Sequence, residues 1–127
     1  MIRYRTRFSD GEHESISDTT ADNGGEYSGF RPHDLLAAAL ATCVNMTVRM
    51  YADHHGILLR GVTTNVSLDR TDPDEVVFRY EIELDGELTA EQQNRLSQAA
   101  SACPVRKTLS RRIEFERGAG ASVSSMT

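Results

Sequence analysis

Residues 32–55, PHDLLAAALATCVNMTVRMYADHH, decide the fold because they predict one long helix in a chain of 127 residues. The run contains no Gly and no internal Pro. Pro32 suits the first helical position, and Gly56 ends the run. Polar side chains recur at helical spacing on one narrow stripe, formed by Thr42, Asn45, Arg49 and Asp53. We therefore predict a helix that is buried over most of its circumference.

Alternating side chains predict five strands outside this helix. Arg3, Arg5 and Arg7 lie on one side of the first strand, and residues 9–11 predict the turn that follows it. The loop before the helix is predicted at 19–29, which is rich in Asp, Asn, Gly and Ser. The strands are predicted at 2–8, 12–18, 58–68, 75–84 and 112–117.

Two shorter helices are predicted towards the C-terminus. Thr89 and Gln92 match a capping box ahead of a helix at 90–102. Cys103 precedes Pro104, which suits the first position of a further short helix. Strands and helices in this order predict an α+β fold with the long helix packed on antiparallel strands.

The domain organisation follows from the length and from the apolar helix. We predict one domain over residues 1–127, with 118–127 as a mobile tail of small residues. So few strands of one chain can hardly cover a helix that is apolar nearly all round. We therefore expect a homodimer.

The composition excludes several functional classes. A net charge of −5 gives no basic patch for nucleic acid or for an anionic membrane. No uninterrupted apolar run is long enough to span a bilayer, and the N-terminus lacks the apolar stretch of a secretory signal, so we expect a cytoplasmic protein. The histidines show no metal-ligand spacing with the cysteines, so no metal is expected; they are His13, His33, His54 and His55.

Cys43 and Cys103 are the only cysteines, too few for a disulfide scaffold. Cys43 is predicted to face inward, and apolar surroundings would raise its pKa and make it inert. Cys103 at a helix start would instead meet free backbone N–H groups, which favour the thiolate. The inward neighbours predicted for Cys43 are Leu36, Leu40, Met46, Thr47 and Met50.

Three segments together carry a family resemblance. Residues 32–43, PHDLLAAALATC, are followed sixty residues after their cysteine by SACPVRKTL at 101–109. The stretch GGEYSGFRP at 24–32 supplies a Gly-rich approach to the helix. The chain resembles the OsmC/Ohr family of osmotically inducible and organic hydroperoxide resistance proteins, from about residue 2 to residue 115.

The resemblance implies an intertwined homodimer with an OsmC-like fold and a cysteine pocket at the subunit interface. It implies that Cys43 attacks a hydroperoxide, becomes sulfenic acid and condenses with Cys103. An external thiol or dithiol would reduce the disulfide, with no other cofactor. The pocket for an apolar substrate tail is predicted around Leu36, Leu40, Met46 and Met50.

An arginine on an N-terminal strand, held by a glutamate near the helix start, is implied as the group that activates Cys43. Arg3 lies nearest that position, and Arg5 shares its face, although surface arginines on an edge strand fit the same pattern. The sequence departs from the family at His33, which occupies the glutamate position, with Asp34 as the neighbouring carboxylate. Ten helical residues separate His33 from Cys43 by about 15 Å, so a shared site would need two subunits.

Two functions stay open from the sequence. The first is a thiol peroxidase that reduces organic hydroperoxides in the oxidative stress response, which retention of both cysteines favours. The second is a non-catalytic dimer that binds a small apolar ligand or senses redox state, which His33 favours.

Overall fold

The structure of the protein, a computed structural model, describes residues 3–119. Its strands and helices confirm the predicted α+β class. A short 3-10 turn at Ala21–Asn23 interrupts the loop that precedes the long helix. The elements in chain order are β1 (Thr6–Ser9), β2 (Glu14–Ser17), α1 (Pro32–His54), β3 (Gly61–Asp69), β4 (Val77–Asp85), α2 (Ala90–Ala100) and α3 (Pro104–Leu109).

The long helix α1 begins and ends where the sequence predicts. Pro32 is its first residue, where a missing N–H costs no hydrogen bond. Asp34 in the first turn accepts hydrogen bonds from the backbone and guanidinium N–H groups of Arg31 at 2.9–3.2 Å. At the other end His55 caps the helix, and Gly56 adopts a positive φ of 65°, which stops the helical path.

One stripe of α1 forms the centre of the core. Its buried residues are spaced four apart and pack against α2 and the hairpin of β3 and β4. The stripe consists of Leu40, Val44, Val48 and Ala52. Leu96 and Ala100 of α2 complete the core together with Cys103.

One chain covers α1 only in part, so burial over most of its circumference stays a prediction for the dimer. Leu36, Met46 and Met50 are 44%, 60% and 58% exposed. Strand β3 and helices α2 and α3 pack against α1 but leave these side chains without full cover from residues 3–119.

Strands β3 and β4 pair antiparallel along their whole length, from Gly61 opposite Asp85 to Asp69 opposite Val77. Their alternating residues turn one face to α1. The α2 capping box is confirmed, because the Gln92 N–H donates to the Thr89 hydroxyl at 3.1 Å and the Gln92 amide accepts from the Thr89 N–H at 3.0 Å.

The N-terminal hairpin is shorter than predicted. Thr6 pairs with Ser17, and β2 ends there because Asp18 turns its carboxylate onto the following loop. Residues 3–5 therefore have no strand to pair with, and the first residue of the predicted strand, Ile2, lies outside the described range. Strands β1 and β2 form a separate two-stranded sheet.

The strand predicted at 112–117 is absent from the structure. These residues form no ladder, and Ile113 and Phe115 are 53% and 94% exposed. An alternating pattern gives a strand only when a neighbouring strand supplies hydrogen bonds, and none within residues 3–119 does so. From residue 120 onwards the predicted tail lies outside the described residues, and the single domain stays a prediction.

By length and mean hydropathy, 1.4 over its most apolar window, α1 could cross a membrane. It is not an uninterrupted apolar run, because it contains Asn45, Arg49 and Asp53. One such helix is weak evidence for a membrane protein, because core helices pass the same test. Its buried stripe packs against the sheet and α2 as a core helix does.

Candidate active site

The structure brings Cys43 and Cys103 together. Helix α3 packs against α1, and its N-cap, Cys103, is fully buried beside the half-buried Cys43. The two sulfurs lie close enough for a thiol–thiol hydrogen bond, and both cysteines are in the free thiol state. Residues sixty positions apart thus form one site.

The surroundings of Cys43 favour its thiolate. Burial raises its pKa, but hydrogen bonds from the Cys103 thiol, the Val105 N–H and the Thr47 hydroxyl together outweigh that effect. The net pKa lies below the ordinary value of 9.0. The alternative of an inert thiol is not favoured, because Cys43 is neither fully buried nor surrounded only by apolar groups.

Cys103 has the opposite tendency. Burial and the neighbouring Cys43 raise its pKa above 9.0, although the N–H groups of Arg106 and Val105 oppose that effect. The helix-start N–H groups lower the pKa of Cys103 as expected, but burial and the hydrogen bond with Cys43 outweigh them. The Cys103 side chain is fully buried.

The pair therefore holds one ionisable sulfur and one protonated sulfur in contact. A thiolate is the nucleophile in cysteine chemistry, and a neighbouring thiol can condense with an oxidised sulfur. The arrangement suits a two-cysteine redox cycle, because the attacking and condensing atoms are already adjacent.

The sequence predicts Thr47 as a neighbour of Cys43 but not as a donor to its sulfur, and it gives no sign of Val105. Thr47 lies one turn after Cys43 on α1, so a polar residue four positions along the helix was the available signal. Val105 contributes its backbone N–H. Pro104 at the first position of α3 has no N–H to offer, which leaves the Val105 donor without an acceptor inside the helix.

The predicted arginines do not reach Cys43 within one chain. No charged group contributes to its pKa, and Arg3 is exposed on the N-terminal segment. Arg5 is held elsewhere: its Nε donates to the Ser28 hydroxyl at 2.9 Å, and its Nη2 lies 3.8 Å from Glu26. Arg7 pairs with Glu14 across the hairpin.

His33 and Asp34 do not contact the cysteines either. Asp34 forms an ion pair with Arg31 at 2.9 Å, which lowers its carboxyl pKa. His33 is exposed and lines a polar cleft of about 480 Å³ with Thr19, Asn23 and Arg70 among its walls. Asp34 therefore stabilises the start of α1 through Arg31. His33 lines a cavity that does not include the two cysteines.

The predicted pocket residues do not surround one cavity in the single chain. Leu40 is buried and borders a cleft of about 230 Å³ beside Phe78, Tyr80 and Arg106. Met46 borders a separate groove of about 300 Å³ between α1 and Thr63 and Thr64 of β3. Leu36 and Met50 are exposed. The single chain therefore gathers no common cavity around the four residues.

Between residues 3 and 119 no group of three or more His, Cys, Asp or Glu side chains could hold a metal ion.

Comparison with known proteins identifies the family of the chain. The model of the OsmC-like protein family matches residues 23–117, which include both cysteines. The comparison with curated proteins gave no match.

Solved structures with the same fold cover most of the chain. A provisionally named osmotic stress induced and detoxification response protein from Psychrobacter arcticus is 26% identical, with a TM-score of 0.65 over 82% of this chain and 85% of that one. An organic hydroperoxide resistance protein OsmC, described as a predicted redox protein, from Legionella pneumophila is 21% identical, with a TM-score of 0.60 over 84% and 87%.

The organic hydroperoxide resistance protein OhrB of Bacillus subtilis is 21% identical, with a TM-score of 0.59 over 84% of this chain and 88% of that one. At these identities the two hydroperoxide resistance proteins establish a shared fold. The family match spans most of the chain and contains the paired cysteines, so this protein belongs to the OsmC-like family.

Proposed function

We propose that the protein is a cysteine-based peroxidase that reduces organic hydroperoxides in the oxidative stress response. The observation that carries the proposal is the contact between Cys43, whose pKa is lowered, and Cys103, whose pKa is raised. One sulfur is prepared to attack and the other to condense. Hydroperoxide resistance proteins among the structural neighbours support the same chemistry at the level of the family.

The reaction begins at the Cys43 thiolate. Its sulfur attacks one peroxide oxygen, the O–O bond breaks, and the alkoxide leaves and takes up a proton to become an alcohol. Cys43 is then a sulfenic acid. The Cys103 sulfur attacks the oxidised sulfur and forms the disulfide, and the sulfenic oxygen leaves as water with the Cys103 proton.

The cycle closes through an external thiol or dithiol. Its thiolate opens the disulfide by exchange, and two electrons return both cysteines to the reduced form. A reducing compartment would keep this supply available, so the proposal places the protein in the cytoplasm.

The proposal includes a homodimer built on an exposed stripe of α1. The stripe consists of Leu36, Ala39, Cys43, Met46 and Met50, which recur at alternating intervals of three and four. This interval is that of a helix–helix contact in coiled coils. A second copy would cover these apolar side chains and place Cys43 at the subunit interface.

The dimer would supply what one chain lacks. The apolar side chains of Leu36, Met46 and Met50 would wall a pocket around the Cys43 sulfur. An arginine from the N-terminal hairpin of the other subunit would then approach the thiolate, and Arg5 is the better-held candidate. Such a pocket favours hydroperoxides with an apolar tail, because burying that tail is favourable by about 25 cal/mol per Å².

A non-catalytic dimer that binds a small apolar ligand, or senses redox state, is the second candidate. His33 favours it, because an exposed imidazole stands where the family resemblance implies a glutamate that holds the arginine. Under this reading the cysteines would oxidise without turnover.

Hydroperoxide consumption distinguishes the two. Wild-type protein with a dithiol should consume cumene hydroperoxide through many turnovers. Cys43→Ser should abolish consumption, and Cys103→Ser should leave a sulfenic acid at Cys43 that dimedone traps. Failure of wild-type protein to consume the hydroperoxide, with Cys43 recovered as a free thiol, would contradict the peroxidase proposal and leave the binding protein.

A further inference from the structure

We propose that Asp18, Glu26 and Ser28 are positioning residues for Arg5, which they hold in place to serve the partner subunit's Cys43. The inference rests on the proposed function for its last step. The arrangement of the four residues is a property of the single chain.

Ser28 connects a buried carboxylate to the guanidinium. Its hydroxyl donates to Asp18 Oδ2 at 2.7 Å and accepts from Arg5 Nε at 2.9 Å. A hydroxyl that gives its proton to a carboxylate presents its lone pairs to a cation. Glu26 lies 3.8 Å from Nη2 of the same arginine, so the guanidinium is held at two points.

Asp18 is the anchor of this relay. It is only 2% exposed and has no cation in contact among the described residues. It is satisfied instead by the N–H groups of Thr19, Glu26 and Ser28, at 2.8, 3.2 and 3.1 Å, and by the Ser28 hydroxyl. A buried charge is tolerated only when it is well hydrogen-bonded, and here the bonds fix the loop that carries Glu26 and Ser28.

Two glycines let this loop lie directly on the polypeptide before it. A Cβ at Gly25 would come within 2.3 Å of the Thr19 carbonyl oxygen, and one at Gly29 within 2.2 Å of that of Ile16. Both contacts are far closer than real Cβ atoms show. The loop is therefore seated without room for a side chain at either point, as a rigid support requires.

Of the three N-terminal arginines, this arrangement holds Arg5. Arg7 pairs with Glu14 and is 76% exposed in its side chain, whereas the Arg5 side chain is 32% exposed. A guanidinium has five N–H donors. Ser28 takes one donor and Glu26 faces another, and within residues 3–119 the remaining donors of Arg5 have no side-chain partner, so they can bind a thiolate or a peroxide oxygen.

The test is the rate at which iodoacetamide alkylates Cys43 at pH 7, in a Cys103→Ala background that leaves one reactive thiol. Arg5→Ala should slow alkylation at least about threefold, because the loss of a nearby cation reduces the thiolate fraction. Ser28→Ala and Glu26→Gln should slow it in the same direction, and Ser28→Thr, which keeps the hydroxyl, should restore the rate. Glu14→Gln breaks only the Arg7 pair and should leave the rate unchanged.

A double variant separates positioning from simple structural damage. Ser28→Ala should have no further effect when Arg5 is already alanine, because the serine acts through the arginine. Equal slowing with and without Arg5, or no slowing by Ser28→Ala, would overturn the proposal. Asp18→Asn tests the anchor itself. If this variant does not fold, the substitutions at the exposed residues Glu26 and Ser28 still decide whether the relay positions Arg5.

The result is independent of turnover. Alkylation that follows Ser28 and Arg5 in a protein that does not reduce hydroperoxides would leave the relay standing and remove the peroxidase. Hydroperoxide turnover that does not change when Arg5, Glu26 or Ser28 is substituted would leave the peroxidase proposal standing and remove the relay.

Discussion

The backbone N–H of Val105 lies beside the Cys43 sulfur at the contact between α3 and α1 and lowers the pKa of that thiol. This donor is free because Pro104 starts α3 and the first turn of a helix has no internal acceptors for its N–H groups. A main-chain donor stabilises the thiolate without a charged side chain. Much of the preparation of Cys43 therefore lies within one subunit.

The Thr47 hydroxyl is the side-chain part of that preparation. Thr47→Val removes a donor to the thiolate, so the pKa of Cys43 should rise and its alkylation at pH 7 should slow by a few-fold. Thr42→Val is the matched control, because the Thr42 hydroxyl donates to the Ala38 carbonyl at 2.8 Å and does not contact the sulfur. Equal rates in the two variants would show that Thr47 contributes nothing to the thiolate.

The exposed stripe of α1 should hold the dimer together. Met46→Glu buries an unpaired charge in the proposed interface, so it should weaken association at least about tenfold, measured by light scattering across a dilution series. Leu58→Glu is the control, since Leu58 is 87% exposed and lies outside the stripe. A wild-type protein that stays a folded monomer at high concentration would refute the interface.

Asp18 should make the stability of the protein depend on acid pH. Its pKa lies at about 2 in the folded protein against an ordinary value of 3.8, mainly because Ser28 donates through its hydroxyl and its N–H. A lowered pKa stabilises the fold above the unfolded value and loses that contribution as the pH falls through the folded value. Asp18→Asn should therefore unfold at lower urea concentration than wild type at pH 7, and the gap should narrow between about pH 4 and pH 2. A gap that stays constant with pH would contradict this account of the loop.

Substrate preference should follow the apolar walls of the proposed pocket. Wild-type protein should react faster with cumene hydroperoxide than with hydrogen peroxide, because only the former has an apolar group to bury. Met50→Ser should reduce the first rate and leave the second nearly unchanged, which stopped-flow measurement of the two rates can decide. A variant that slows both rates equally would indicate damage to the cysteine rather than to the pocket.

The sequence predicted the parts of the fold whose signals are local. Pro32 and Gly56 bracket α1, and Thr89 with Gln92 starts α2, because caps act through residues a few positions away. The strand at 112–117 failed for the opposite reason. Its alternation is local, but a strand needs a hydrogen-bonded neighbour, which periodicity does not supply.

The candidate site also contains parts that the sequence predicts and parts that it does not. The family resemblance named Cys43 and Cys103, and the structure places them in contact. The direction of each thiol's pKa could not be predicted from the sequence, because it depends on which N–H groups meet which sulfur after α3 docks on α1. The relay from Asp18 through Ser28 to Arg5 was missed, since its residues are separated by a loop whose path the sequence does not specify.

Mapping the oxidised cysteines by mass spectrometry tests the central claim most directly. One equivalent of cumene hydroperoxide should release one equivalent of cumyl alcohol and give a disulfide between the peptides that contain Cys43 and Cys103, both within a single chain. Dimedone should label Cys43 in Cys103→Ser and should label neither cysteine in the oxidised wild type. Alcohol release without that disulfide, or a sulfenic acid found at Cys103 instead of Cys43, would contradict the assignment of the attacking and resolving sulfurs.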